Sequence, residues 1–417
     1  MRNWSCFDLT MIHTGTRPMD EKSVVIFGAG RIGRSFIGQV FGVEGYRVVF
    51  IDTDVALVNQ LNRRGEYPVI IKGPGGEEKI TIPIASAIHS KDRPGVEEAV
   101  RDSGIMAISV GKNALPLVAP AVAGGLVQRE NRYPGRPLDI ILAENMRDAA
   151  PFFRERLKEN LPEGYALDKL VGLVETSIGK MVPIMSEADL AQDPLQVFAE
   201  PYNTLILDRL GFRGTIPSVG AFALKDHIRA WVDRKAFIHN LGHAAAAYSG
   251  HLKVPAAVYM HEVLSDAEVL GSTRSVMQES ARVLRVVYPA EFDSGSLEAH
   301  IEDLLERFRN IKLGDTVFRV GCDLARKLGR DDRFMGIIRL AQDVQQPYER
   351  ILEAMSKGFL FRATDEKRLM FPADEEFLRD FENNPHRVLE KVCGLNSRGD
   401  QLLMTRIIEY YNAFKRV

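Results

Sequence analysis

The sequence predicts an α/β Rossmann-type doubly wound sheet followed by an all-α C-terminal domain. Three observations support this fold class. A glycine-rich turn follows an apolar run near residue 28, strand and helix patterns then alternate to about residue 205, and long helical patterns dominate after it. We expect residues 1–18 to form a loose leader, residues 19–205 the α/β domain, and residues 206–417 a mainly helical domain. The leader lacks the apolar core and cleavage site of a signal peptide.

Length and composition are those of an ordinary globular protein. The chain has 417 residues, 45% of them hydrophobic and 26% charged; at about 150 residues per domain, this length suggests two or three domains. The net charge of −2 provides no basic field for nucleic acid or a membrane surface. No apolar run reaches the ~18 residues that a membrane span needs. Three distant cysteines exclude a disulfide framework and a cysteine-rich zinc site. We expect a cytoplasmic protein, and the oligomeric state is not readable from the chain.

The first structural unit has the pattern of a nucleotide-binding βαβ motif. Residues 23–27 are a continuous apolar run, as expected for a strand that is buried on both faces. The sequence GAGRIGR follows at residues 28–34 and opens a helical pattern. A second strand at 46–51 ends in Asp52, and a helix is expected at 54–64. This order of strand, glycine-rich turn, helix, strand and acid is typical of dinucleotide binding.

Each position of this unit has a physical role. Gly28 permits a tight turn, Gly30 lets a pyrophosphate approach the backbone, and Gly33 allows the helix to pack closely on the strand. The N-terminus of the helix offers free N–H groups to the phosphates. Asp52 can accept hydrogen bonds from the ribose hydroxyls and would repel a 2′-phosphate, which favours NAD over NADP. The alternative is a structural turn whose glycines serve packing alone. With one position from each of two later strand ends, the expected cofactor-binding residues are Gly28, Ala29, Gly30, Arg31, Ile32, Gly33, Asp52, Gly111 and Asn145.

Further alternation extends the sheet and supplies a rim of polar residues. A hairpin is expected at 67–84 around a Gly/Pro turn. The remaining elements expected in this half are strand 104–110, helix 114–127, strand 138–142, helix 148–160 and strand 169–175. Ligands bind at the carboxyl ends of such strands, which places Gly111, Asn145 and residues 175–177 at the rim. Asn145 either reaches the cleft or caps the helix that follows it.

The helical domain contains a group of polar residues on one face of an apolar segment. Lys235, Asn240 and His243 have offsets of 0, +5 and +8, which an α-helix places at about 0°, 140° and 80° around its axis. Most helix lysines are solvated, but the flanks of Lys235 are apolar, and buried polar groups need partners. His239 falls near the same face, at about 40°, and is a rival for the same role. Helices are expected at 221–233, 235–249, 256–270, 273–288, 296–310, 317–327, 332–354 and 398–415.

A second, competing catalytic motif and the remaining histidines are weaker candidates for the active site. Tyr165 and Lys169 have the Y-x-x-x-K spacing of short-chain dehydrogenases, but they follow a Pro-Glu-Gly turn and immediately precede a strand. That motif requires a long helix at the active-site rim. The remaining histidines lack the spacing of metal ligands, and we expect no metal site.

These motifs together resemble those of the polyol-specific long-chain dehydrogenases, the mannitol dehydrogenase family. The matching stretches are the glycine-rich turn with its continuation FIG at 36–38, the sequence ENM at 144–146, and the Lys235, Asn240 and His243 spacing. The resemblance covers about residue 19 to the C-terminus. A further stretch at 319–328 is similar to the members that interconvert mannitol 1-phosphate and fructose 6-phosphate, and so is the overall length.

The resemblance implies a metal-independent oxidoreductase that uses NAD on a polyol or sugar-phosphate substrate. Lys235 would be the general base, which takes the hydroxyl proton as hydride leaves the carbinol carbon. Asn145, Asn240 and His243 would orient the reacting oxygen and stabilise its charge. Free lysine titrates near ~10.4, so the site must lower the pKa of Lys235. Arg319, Arg326 and Lys327 are candidates for binding a phosphate.

One departure from the family pattern leaves alternatives open. Members commonly carry Asp-Arg shortly before an Ile/Val-x-Pro sequence, whereas this chain has Gly179 and Lys180. The best expectation is a mannitol-1-phosphate dehydrogenase activity. The alternatives are an unphosphorylated polyol 2-dehydrogenase, a hexuronate reductase, or a weakly active NAD-binding regulatory protein.

Overall fold

A computed structural model describes residues 20–183 and 185–416. The expected leader, residues 1–18, lies outside the described residues. A sheet with helices on both faces occupies the first half of the chain, and helices make up the second half. The predicted fold class is confirmed.

Within the described residues, the strands form one large and one small sheet. The large sheet has the order β11-β10-β8-β7-β6-β1-β2-β5, and the small one has the order β4-β3-β9. The bounds are β1 Asp20–Phe27, β2 Arg47–Asp52, β3 Glu66–Gly73, β4 Gly76–Pro83, β5 Ser86–His89, β6 Ser103–Ile108, β7 Leu138–Leu142, β8 Val171–Ser177, β9 Val197–Ala199, β10 Leu205–Asp208 and β11 Phe222–Lys225.

The direction and order of the strands determine where a ligand can bind. Strand β1 pairs in parallel with β2 on one side and with β6 on the other, so the strand order reverses at β1. The only antiparallel pair in the large sheet, among the strands described, is β8 with β10. Open parallel sheets bind ligands at the carboxyl edge beside such a reversal. The cleft is therefore expected beyond the ends of β1, β6 and β7.

Burial on both faces explains the apolar runs of the central strands. In β1, Val24 and Ile26 pack on one side of the sheet, and Val25 and Phe27 pack on the other. Each face is covered by helices, so neither set of side chains reaches water. Elements with helical hydrogen bonding in this half are Gly33–Gly38 (π-helix), Gln39–Val43, Val55–Arg64, Arg93–Asp102, Leu115–Arg132, Ala149–Lys158, Leu167–Leu170, Glu187–Gln192 and Arg209–Gly211 (3₁₀).

The structure contains strands that the sequence did not predict, beside the hairpin and at the start of the expected helical half. Strands β3 and β4 form the hairpin, and β9 joins β3 in parallel, which we did not predict. Strand β11 lies in a segment expected to be helical, and with β10 it carries the large sheet past residue 206, where we expected the helical half to begin. Strand β5, which pairs in parallel with β2, was not predicted either. Strands β5 and β11 are each four residues long, too short to show a clear pattern.

The helical half forms its own core around the helix that contains Ala244–Ala247. None of the helices in the described part of the chain is long and apolar enough to cross a membrane. The helices of this half are Ile228–Arg234, Lys235–Asn240 (π-helix), Leu241–Lys253, Met260–Val263, Ala267–Val287, Ser294–Phe308, Ile311–Leu313 (3₁₀), Val317–Gly321, Leu324–Lys327, Met335–Asp343, Glu349–Gly358, Pro372–Asn383, Pro385–Lys391 and Gln401–Phe414.

Candidate active site

The glycine-rich turn joins β1 to the first helix as expected. Gly28 has φ of 93° and donates its N–H to the carbonyl of Ile51, 2.8 Å away, at the end of β2. A Cβ on Gly33 would lie 1.8 Å from the carbonyl oxygen of Gly28. A side chain at Gly33 would therefore force the helix away from the turn, and one at Gly28 would be strained by the positive φ and would meet the carbonyl of Ser109.

The remaining positions of the turn fit a dinucleotide phosphate. A Cβ on Gly30 would have no atom within 4 Å, so the space above this residue is open. A helical turn begins immediately after it with Arg31, whose side chain is exposed, and Ile32, which packs against the core, and it continues into the π-helix Gly33–Gly38. Gly111, with φ of 89°, is equally open at the end of β6. An open, positively polarised helix N-terminus suits a pyrophosphate.

Asp52 is oriented by the turn that it faces. Its Oδ2 accepts a hydrogen bond from the N–H of Ala29 at 2.6 Å, and its Oδ1 accepts one from Asp54 at 2.9 Å. Each carboxylate oxygen keeps a second lone pair for a ribose hydroxyl. The residues that the sequence predicted for NAD binding therefore fit an adenine dinucleotide.

Lys235 and Asn240 share a face because their helix changes its hydrogen bonding. The segment Lys235–Asn240 is a π-helix, between the α-helices Ile228–Arg234 and Leu241–Lys253. Hydrogen bonds in a π-helix join residues five apart, so Lys235 and Asn240 lie one turn apart. The α-helical angle of about 140° between Lys235 and Asn240 therefore does not apply here. A further partner of this turn is Ser280, whose hydroxyl donates a hydrogen bond to the carbonyl of Phe237 at 2.6 Å.

Lys235 contacts the residue that follows β7. Its Nζ donates a hydrogen bond to Oδ1 of Asn145 at 2.5 Å. Asn145 does not cap the next helix, because Ala149–Lys158 begins after Asp148. Burial lowers the pKa of the Lys235 ammonium to about 7; the positive charges of Arg333 and Arg326 act in the same direction, and Asp332 opposes them. A lysine with this pKa is partly neutral at neutral pH and can accept a proton.

The two halves enclose a cavity of about 610 Å³ around this pair. Its walls include the carboxyl ends of β7 and β8, the turn that contains Lys235 and Asn240, and the loop before Met335–Asp343. Seven of the lining side chains are basic and four are acidic. The basic ones are Lys112, Arg147, Arg229, Lys235, Arg326, Arg330 and Arg333.

His243 does not belong to the described cavity lining. Its ring stacks on Phe308 with 4.3 Å between centroids and 4° between planes. Its Nε2 is 3.5 Å from Oδ2 of Asp315 but makes no hydrogen bond. The rival His239 is 5% exposed and also does not line the cavity. Burial lowers the pKa of both imidazoles well below the usual value, so both are neutral.

Of the three cations predicted for phosphate binding, Arg326 alone lines the cavity. Lys327 is 5% exposed and donates to the carbonyls of Val320 and Cys322. Arg319 forms an ion pair with Asp315. Tyr165 of the competing motif bonds to the carbonyl of Leu126 at 3.4 Å and also lies outside the lining.

The segment that departs from the family pattern is held by a buried ion pair. Arg307 donates to Glu200 through two nitrogens, at 2.6 and 2.8 Å, and to the carbonyl of Gly179 at 2.7 Å. Glu200 is 2% exposed. Lys180 is also buried and donates to the side-chain oxygens of Gln39 and Asn203. An acid and an arginine thus do support this segment, but they come from other parts of the chain.

Four arginines of the lining were missed from the sequence, namely Arg147, Arg229, Arg330 and Arg333. Arg333 donates to the carbonyl of Asn240 at 3.1 Å, Arg330 lies on the rim, and Arg147 follows Asn145 by two residues. For Arg330 and Arg333, the charged run 330–333 after Gly329, immediately before an apolar helix, was the available signal. In the part of the chain that is described, no group of three or more His, Cys, Asp and Glu residues could hold a metal ion.

Two family models match the chain, one over its α/β half and one over its helical half. The model of the mannitol dehydrogenase Rossmann domain matches residues 22–220, and that of the mannitol dehydrogenase C-terminal domain matches residues 227–392. A mannitol-1-phosphate 5-dehydrogenase of Bacillus pumilus is 31% identical over 90% of this chain and 96% of its own length. One of Lactococcus lactis is 30% identical over 94% and 99%.

A solved structure agrees at the level of the fold. The Pseudomonas fluorescens mannitol 2-dehydrogenase, in a ternary complex with NAD and D-mannitol, superimposes with a TM-score of 0.75 at 16% identity, and the match covers 96% of this chain and 92% of that one. Two domain models together span most of the chain, and the relatives are matched over nearly their full length. The chain therefore belongs to the mannitol dehydrogenase family.

Proposed function

We propose that the chain is an NAD-dependent polyol dehydrogenase that oxidises mannitol 1-phosphate to fructose 6-phosphate, with Lys235 as general base. The observation that carries the proposal is the position of the Lys235 amine. It lies in a cavity between the two halves, has a pKa lowered to about 7, and is bonded to Asn145 at the edge of the dinucleotide fold. The two mannitol-1-phosphate 5-dehydrogenases among its relatives support the choice of substrate.

The chain's own residues account for the proton transfer. NAD, when bound, supplies the acceptor for the hydride. Neutral Lys235 accepts the proton of the substrate hydroxyl, while Asn145 holds the amine through its side-chain oxygen. The amides of Asn145 and Asn240 can donate hydrogen bonds to the reacting oxygen and stabilise its developing negative charge. In the reverse direction the Lys235 ammonium returns the proton.

The family resemblance predicts that His243 orients the reacting oxygen, but His243 does not line the cavity. It stacks on Phe308 beside Asp315 rather than on the cavity surface. A neutral imidazole at that position can act on the substrate only if the bound form brings them together. We therefore assign the direct contacts to Lys235, Asn145 and Asn240.

The charge of the cavity supports an anionic substrate. The basic side chains that line it outnumber the acidic ones. Arg330 has the most available guanidinium of the rim: its carboxylate partner, Asp331, is 3.9 Å away, and its side chain is 66% exposed. Arg326 lies beside it in the lining, paired with Asp323. A phosphate placed here would receive charge-assisted hydrogen bonds.

The test measures NADH formation from NAD with mannitol 1-phosphate, mannitol and hexonates. We expect the highest kcat/KM with mannitol 1-phosphate. Arg330→Ala should raise KM for this substrate by about tenfold, since a charged hydrogen bond contributes about 1.5–3 kcal/mol. KM for mannitol should stay unchanged. Arg379→Ala, an exposed arginine outside the cavity, is the matched control.

The other outcomes identify the alternatives. Higher kcat/KM with mannitol or a hexonate would contradict the phosphate assignment and retain the family reaction. Absence of turnover with every substrate would contradict the enzymatic proposal.

A further inference from the structure

A buried cluster of charged and polar side chains joins the two halves beside the cavity. Asp233 is 1% exposed and lies two residues before Lys235. Its Oδ1 accepts hydrogen bonds from two nitrogens of Arg147, one of them Nε at 2.8 Å. Its Oδ2 accepts one from the hydroxyl of Tyr288 at 2.6 Å. Both carboxylate oxygens of Asp233 are therefore satisfied by partners from other elements.

Arg147 contacts residues on both sides of Lys235. Its guanidinium bonds to Asp233, and it also lies over the ring of Phe237, 4.7 Å from the centroid. Phe237 is fully buried. Because Arg147 touches the chain two residues before and two residues after the lysine, it defines where this turn lies relative to the sheet.

Arg147 also belongs to the loop that presents Asn145. The loop connects β7 to the helix Ala149–Lys158, and it includes Asp148 with φ of 54°. An isolated loop of this kind can take several positions, and the amide of Asn145 would move with it. The ion pair to Asp233 connects this loop directly to the turn that contains Lys235.

We propose that Arg147 and Asp233 are positioning residues that hold Asn145 against Lys235 before substrate binds. This inference rests on the proposed function, in which Lys235 is the base and Asn145 its partner. Bonds between ionised groups are shorter and stronger than neutral ones, which suits a fixed distance. A displacement of about 1 Å at a catalytic group can cost about a hundredfold in rate. Tyr288 completes the cluster as a neutral donor, because burial and the Asp233 carboxylate raise the pKa of its hydroxyl.

The chain contains a matched control for this ion pair. Glu200 and Arg307 also form a buried pair between the two halves, but neither of them lines the cavity. Both acids are almost completely buried, at 1% and 2% exposure. Removing either ion pair should weaken the contact between the halves. Only removal of the Arg147–Asp233 pair should also displace Lys235.

The experiment compares Asp233→Asn and Arg147→Lys with Glu200→Gln in two measurements. The first is steady-state NADH formation with mannitol 1-phosphate. We expect kcat to fall by about ten- to a hundredfold in the first two variants, while KM for NAD changes by less than about threefold. In Glu200→Gln, kcat should stay within about threefold of wild type. Arg147→Lys, which keeps the charge, should be the milder of the two variants of this ion pair.

The second measurement is hydrogen–deuterium exchange of the peptide that covers residues 143–149. It needs no turnover, so it judges the ion pair even if the proposed function fails. We expect faster exchange in this peptide for Asp233→Asn and Arg147→Lys and no change for Glu200→Gln. If the other variants do not fold, Tyr288→Phe takes their place. It removes one hydrogen bond to Asp233, keeps the ion pair, and should show a smaller increase in exchange. Unchanged exchange in the folded variants, or equal kcat losses in all of them, would overturn the proposal.

Discussion

Two lysines with a lowered pKa, one in each half of the chain, show how similar electrostatics can serve different purposes. Burial lowers the pKa of Lys180 and of Lys235 to about 7 in both cases. Lys180 is 6% exposed, and its Nζ donates to Gln39 and Asn203, each at 2.8 Å. Lys235 donates to Asn145 and lines the cavity between the halves. Both lysines have the lowered pKa, but only Lys235 lines the cavity that a substrate can enter.

The comparison teaches that a lowered pKa does not by itself identify a general base. Desolvation acts on any lysine that is taken out of water, whether or not a substrate can reach it. A base must also lie within hydrogen-bond reach of the proton that it removes. The π-helical turn provides this reach for Lys235, because it places Asn240 one turn away in the same cavity wall.

The largest expected effect is that of removing the lysine in the cavity. Lys235→Ala should lower kcat for mannitol 1-phosphate oxidation by about 10²- to 10⁴-fold, the usual contribution of a general base. The glycine-rich turn is remote from this change, so NAD should still bind. Stopped-flow NADH formation and a titration with NAD measure the two properties. Turnover within a few-fold of wild type would remove Lys235 from the mechanism.

A much smaller effect on turnover is expected for the other lysine. Lys180→Met keeps the volume and leaves the oxygens of Gln39 and Asn203 without their donor. Since Lys180 does not line the cavity, kcat should stay within about threefold of wild type. The same NADH assay measures it. A loss comparable to that of Lys235→Ala would make Lys180 part of the mechanism and break the comparison.

The effect of Lys180 should appear in the pH dependence of stability. The pKa of its ammonium is about 7 in the folded protein and about 10.4 in the unfolded chain. Between these values the unfolded chain binds more protons, so the contribution of Lys180 to stability rises with pH. Lys180→Met should reduce the slope of the unfolding free energy by up to about 1.4 kcal/mol per pH unit.

Urea unfolding between about pH 7.5 and 9.5 measures that slope. Lys391→Met, at an exposed lysine of the helix Pro385–Lys391, is the control and should leave it unchanged. An equal slope in wild type and Lys180→Met would show that the Lys180 ammonium is not desolvated in the folded protein.

Local patterns were sufficient to predict most of the fold. The apolar run of β1, the glycine-rich turn and Asp52 gave the nucleotide-binding unit, because each depends on residues close together in the sequence. Strands β5, β9 and β11 were missed. They are three or four residues long and are defined by pairing with other strands, so their own residues carry little signal.

The site could be predicted only in part for the same reason. Lys235, Asn145 and Asn240 were identified from spacing and family resemblance, and all three line one cavity. The contacts of Arg147 and Arg333 join segments 86 and 93 residues apart, which no local pattern reports. The helical angles used for Lys235 assumed an α-helix, and the π-helical turn is visible only from its hydrogen bonds.

The pH dependence of kcat/KM for mannitol 1-phosphate oxidation tests the central claim most directly. Lys235 must be neutral to accept the proton, so the rate should fall about tenfold per pH unit below a pH of about 7 and level off above it. The substrate phosphate titrates near pH ~6, and the residual rate of Lys235→Ala corrects for it. The inflection near 7 should persist in Lys180→Met and disappear in Lys235→Ala. An inflection that survives in Lys235→Ala, or that is lost in Lys180→Met, would contradict the assignment of Lys235 as the base.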